Sequence, residues 1–184
     1  MKVTKKQIAD WIDEYLETHE TAILKREWNG KYIHRHAPYN NSEDCYHKWL
    51  KKIEEQKDEL MSLPTFEDIL EAVSSKNMPM LGIGDLTRYD TATQLAFPKQ
   101  KFPKDVHLHA GTAKGAKALD IKGKIVPTDK FIEICEDFSK LNAAQIEDFL
   151  CVYSACLEGD VEKCEKLHKT TCNGLSTRKS ICGC

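Results

Sequence analysis

Apolar residues recur at helical spacing along most of the chain, and the polar residues between them mark where each helix starts and stops. Thr4-Lys-Lys-Gln7 is a capping box, and Ile8, Trp11, Ile12, Tyr15 and Leu16 follow on one face. The pattern runs on to Ala22 and Ile23 and predicts a long first helix that Trp28-Asn-Gly30 closes. The segment "KYIHRHAPYNN" lacks helical periodicity and reads as an extended or looped connection. Ser42 caps a second helix that carries Tyr46, Trp49, Leu50, Ile53 and Leu60 on one face, and Pro64 stops it. Thr65-Phe-Glu-Asp68 opens a third, with Phe66, Ile69, Leu70 and Val73. A turn, "MPMLGIG", then leads into a helix from about Asp85 to Phe97. Pro98 and Pro103 bracket a lysine-rich loop, and Asp105 is placed to cap a helix reaching about Leu119. Thr128, Asn142 and Asp160 announce three more.

Roughly eight helices and no convincing strand predict an all-α fold: one compact domain over residues 1–172, with a central helix-hairpin-helix element at residues 65–97. Residues 173–184, rich in Ser, Thr, Gly and Lys, read as a mobile cysteine-containing tail. At 184 residues the chain is long enough to bury a core without staples. It is 41% hydrophobic and 30% charged, with no apolar run of membrane-spanning length, so no membrane partner is expected. The first residues lack the apolar segment of a secretory signal, which gives a cytoplasmic expectation and cysteines kept as thiols.

The net charge of −2 argues against coating a polyanion by bulk charge, but the charge is uneven. Between Phe97 and Lys130 eight lysines face three aspartates, a balance of +5 that begins just after the glycine turn. That turn is not a dinucleotide or Walker loop, because no strand precedes it, Thr87 stands where a third glycine belongs, and no Walker lysine follows. What remains is an apolar-Gly-apolar-Gly turn ahead of a helix. Its glycines permit close approach, and the helix start points N–H groups at an anion.

"MLGIGDLTRYDTATQLA" resembles the helix-hairpin-helix DNA-binding element, and "FPKDVHLHAGTAKGAKAL" is similar to the segment that follows it in the HhH-GPD superfamily of DNA glycosylases. The likeness spans about residues 65–119, with Asp105 twenty-one positions after Gly84. It implies DNA as the partner, with the backbone amides of Leu81, Gly82, Ile83 and Gly84 holding a phosphate. Lys99, Lys101 and Lys104 would add charge, and Arg88, His107 and His109 are further candidate contacts. It also implies that Asp105 is the acidic residue that stabilises the deoxyribose or orients water as the bond to a flipped-out base breaks. Leu86 occupies the place of the lysine nucleophile of bifunctional members, so the resemblance leaves only a monofunctional or inactive N-glycosylase.

Two other readings compete: a helical protein-interaction domain, in which the turn only packs helix on helix, and a metal-dependent hydrolase. For the latter, His34 and His36 project to one side of an extended segment, whereas a helix after Asp105 would turn His107 and His109 apart by about 200°. Seven of the eight cysteines fall from Cys135 onward, but no C-x2-C pair accompanies them, so no metal or cofactor is expected there.

Overall fold

The computed structural model describes residues 3–19, 27–28, 43–75, 78 and 83–172. The protein is mostly helical, the all-α class that the apolar spacing predicts. Its contacts divide it into two compact units, one of Met1–Ile23 with Lys104–Cys184 and one of Leu24–Pro103. Helix α1 (Lys5–Thr18) belongs to the first. The second contains α2 (Glu43–Ser62), α3 (Phe66–Val73), α4 (Asp85–Ala96) and a 3-10 turn, Phe97–Lys99. The chain then adds to the first unit β1 (Val106–His107), α5 (Ala110–Ala118), β2 (Ile125–Val126), α6 (Asp129–Ile132), a 3-10 turn (Glu136–Lys140), α7 (Ala143–Val152), α8 (Ser154–Glu158) and α9 (Val161–Cys172).

The first unit is built on a continuous apolar cluster. Ile8, Ile12 and Tyr15 of α1 meet Phe131, Phe138, Ile146, Phe149, Leu150 and Tyr153, all buried. The rings of Phe149 and Tyr153 stack at 4.9 Å, and Tyr15 and Phe138 present edges to Phe149 at 5.9 and 5.6 Å. Inside this core the Tyr15 hydroxyl donates to the fully buried carboxyl group of Asp148 at 3.0 Å, which gives the buried oxygen a hydrogen-bond partner. Gly115 of α5 lies against α7 so closely that a Cβ there would meet the Leu150 carbonyl oxygen at 2.4 Å. At the rim, Lys140 bridges Asp13 of α1 and Asp137 at 2.7 and 2.8 Å, and its ammonium holds Asp137 below the usual carboxylate range.

Several expected boundaries move. Helix α1 ends at Thr18, short of Ile23, and residues 20–26 lie outside the described residues. The single helix expected after Thr128 is split, because Cys135 is extended (φ −145°, ψ 123°) between α6 and the 3-10 turn. The helix after Asn142 breaks at Tyr153, whose burial fixes the chain between α7 and α8. The largest correction concerns Asp105. It caps no helix: Val106 and His107 pair with Val126 and Ile125 in a short antiparallel ladder, and α5 begins only at Ala110. There the Thr112 hydroxyl accepts from the His109 N–H at 2.6 Å and donates to the His109 carbonyl at 3.0 Å, with His109 as the cap four residues beyond Asp105.

Cys156 and Cys164, expected as thiols, form a disulfide. Gly159 (φ 79°) turns the chain out of α8, Asp160 accepts from the Lys163 N–H at 3.2 Å, and the two Cα atoms come to 4.8 Å. Cys156 is in the core, and Cys164 is the one side chain among residues 161–166 that is not exposed. Reduction is therefore expected to free α9 selectively. Amides of residues 161–166 should exchange faster with deuterium in excess dithiothreitol while those of α7 keep their protection; equal protection in both states would contradict this.

In the second unit, Phe66 of α3 packs edge-on to Tyr89 of α4 at 5.5 Å and tilted against Phe97 at 6.3 Å. Trp49 of α2, fully buried, donates its indole N–H to Thr91 at 3.3 Å. The chain beyond the 3-10 turn returns to the end of α2, where Lys101 donates to the carbonyl oxygens of Met61 and Leu63 at 2.8 and 2.5 Å. A cation on the last carbonyls of a 20-residue helix satisfies acceptors that have no helical partner and complements the helix dipole.

Candidate nucleic-acid interface

Leu81 and Gly82, half of the expected phosphate cradle, lie outside the described residues; Ile83 and Gly84 do not. Ile83 is buried. Gly84 is the N-cap of α4, with ordinary extended torsions (φ −82°, ψ 171°), and its carbonyl accepts the first helical bond, from the Arg88 N–H at 3.2 Å. As a glycine, this N-cap offers no side chain to the first-turn N–H groups. By contrast α1, α3 and α7 satisfy their first turns with Thr4, Thr65 and Asn142. Among the described residues, a Cβ at Gly84 would meet no atom within 4 Å beyond its own chain neighbours. Neither the backbone conformation nor the packing of this chain therefore calls for glycine here.

The expected cations differ in what they do. The Arg88 guanidinium donates to the Ile83 carbonyl at 2.8 Å and lies 3.7 Å from Asp85, with 17% of its side chain exposed. It ties the turn to its own helix. Lys101 is engaged at the end of α2, whereas Lys99 is exposed and makes no ion pair among the described residues. Lys101→Met is accordingly expected to cost the second unit about 1 kcal/mol in a urea titration and to leave any affinity for DNA unchanged. A loss of affinity without a loss of stability would return Lys101 to the contact set.

The remaining candidates belong to the first unit. Lys104 is exposed and Asp105 half-buried, in a bend just ahead of β1. His107 is buried on β1 and His109 half-exposed at the start of α5. Because this segment is extended and not helical, the two imidazoles lie on one side, their rings stacked at 6.3 Å, which corrects the divergence expected of them. No group of three or more His, Cys, Asp or Glu forms a metal-ligand set among the described residues; His34 and His36 lie outside them, as do Cys182 and Cys184. No described helix is long and apolar enough to cross a membrane. The candidate residues thus divide, with Ile83, Gly84, Arg88, Lys99 and Lys101 in one unit and Lys104, Asp105, His107 and His109 in the other.

Lys114, Lys117, Lys122 and Lys124 of the first unit were not singled out by motif, yet all four are exposed. The signal for them was present in the sequence: Asp120 is the one acidic residue between positions 114 and 124.

No family model matches the chain, and neither a curated protein nor a solved structure matches it. The likeness to helix-hairpin-helix glycosylases rests on the motif residues alone.

Proposed function

We propose that the chain binds nucleic-acid backbone, without reading sequence, at the turn that opens α4. The observation that carries this reading is Gly84: a glycine at the N-cap, in a conformation open to any residue, with no atom of the described residues beyond its chain neighbours where its side chain would be. A phosphate oxygen placed in that space would accept from the first-turn N–H groups of α4 and sit at the positive end of the helix dipole. The exposed Lys99 adds charge in the same unit.

Base excision is the catalytic extension of this reading, and Asp105 is the residue on which it depends. Its support is that Asp105, half-buried ahead of β1, is not occupied as a helix cap. With Leu86 in place of a lysine nucleophile, the nucleophile is water. The water oxygen bonds to C1′ of the deoxyribose, the N-glycosidic electron pair leaves with the base, and the Asp105 carboxylate takes the water proton.

Polarisation of a fluorescently labelled duplex, titrated with the full chain at low and then at moderate salt, tests the binding. Affinity that falls as salt rises supports the reading. No affinity, or affinity indifferent to salt, overturns it in favour of a helical interaction domain. Release of a damaged base from a lesion-bearing duplex tests the chemistry, and release that survives Asp105→Asn intact would remove Asp105 from it.

A further inference from the structure

The lysines of the first unit differ in whether a carboxylate faces them. Lys6, Lys130, Lys140, Lys163 and Lys166 each lie 2.6–2.8 Å from a carboxylate. Lys114, Lys117, Lys122 and Lys124 are exposed and make no ion pair among the described residues. Lys114 and Lys117 are one turn apart on α5, the helix whose opposite side is packed on α7 through Gly115. The chain then folds back on the end of α5, with the Ile121 N–H donating to the Ala116 carbonyl at 2.9 Å. Asp120, with φ 61°, leaves the helical path at this point. Gly123, with φ 146°, sets the bend between Lys122 and Lys124, and the Leu108 N–H fastens the Lys124 carbonyl at 2.7 Å. Ile125, next in the chain, is 57% exposed. The backbone of this segment is therefore fixed while its cations are left without counter-charges of their own.

We propose that Lys114, Lys117, Lys122 and Lys124 form a second phosphate-contacting surface, one that engages nucleic-acid backbone; the assignment rests on the backbone-binding reading above. Four lysines against the single exposed acid Asp120, without an apolar centre, suit a polyanion of regular repeat. Protein interfaces are depleted in lysine at their cores, and Ile125 is the one large apolar side chain exposed beside these lysines. A lone isoleucine is also a poor anchor for a membrane surface, which adds apolar burial to charge.

Lys114→Gln/Lys117→Gln and Lys122→Gln/Lys124→Gln, made in the full chain, test the surface in titrations of a labelled 20-base-pair duplex at several salt concentrations. Each pair is expected to reduce the slope of log affinity against log salt by about 2 and to weaken binding by a similar factor on unrelated sequences. The arginine counterparts should retain the wild-type slope, and thermal unfolding should be unchanged in all four proteins. A wild-type slope in both glutamine variants would overturn this inference alone, because the duplex would still be bound. Failure of the wild-type chain to bind duplex would instead overturn the reading beneath it. Binding of phosphatidylserine vesicles in preference to duplex would assign the surface to membranes and overturn the inference as well.

Discussion

Gly115→Ala is expected to destabilise the first unit by about 2 kcal/mol, although alanine is the better helix former by up to about 1 kcal/mol. The sign is decided by what the added methyl meets. It would stand 2.4 Å from the Leu150 carbonyl oxygen and 3.1 Å from its carbon, and both are backbone atoms of a helix with no rotamer to change. Relief requires α5 and α7 to part by the better part of an ångström along the line where they pack, with Ala116, Ile146 and Leu150 all buried beside it. Such a shift opens voids in a core otherwise packed to the density of a crystal. Urea unfolding followed by circular dichroism measures the effect, and Gly115→Val should exceed it. An alanine variant as stable as the parent would mean that the two helices do not approach as described.

Gly84→Glu carries the opposite expectation, a large change in binding with little change in stability. The position has room for a side chain and torsions that glutamate adopts readily, so the folding cost is a few tenths of a kcal/mol. Duplex affinity at low salt should nevertheless fall at least tenfold, about 1.4 kcal/mol, because a carboxylate would stand where the proposed phosphate sits. Its own charge would also engage the first-turn amides of α4. Equal affinities in labelled-duplex titrations of the two proteins would remove this turn from the interface. Gly84→Ala, which adds volume without charge, should fall between them.

How legible the fold was in the sequence depended on how local each signal is. The boxes at Thr4 and Gln7, Thr65 and Asp68, and Asn142 and Gln145 each close within four residues, and each forms as the sequence predicts. The ladder of Val106 and His107 with Ile125 and Val126 joins segments some twenty residues apart and only two residues long, too short for alternation to show. Asp105 looked like a helix cap because capping chemistry is local, whereas the pairing that extends the chain through it is not. The disulfide was hidden for a related reason: Cys156 and Cys164 meet only because Gly159 turns α9 back along α8. For the site, the engagement of Arg88 with Ile83, and of Lys101 with the end of α2, depends on packing that side-chain type does not report. The lack of ion pairs at Lys114, Lys117, Lys122 and Lys124 among the described residues becomes visible only beside lysines such as Lys130 and Lys140, which have theirs.

The central claim is that a phosphate backbone meets the N-terminus of α4. Amide chemical shifts of the 15N-labelled full chain, recorded as unlabelled duplex is added at low salt, test it most directly. Progressive, salt-reversible shifts of the Gly84, Asp85, Leu86 and Thr87 amides are expected. Duplex binding that leaves those four amides unmoved, or spectra that do not respond to duplex at all, would contradict it.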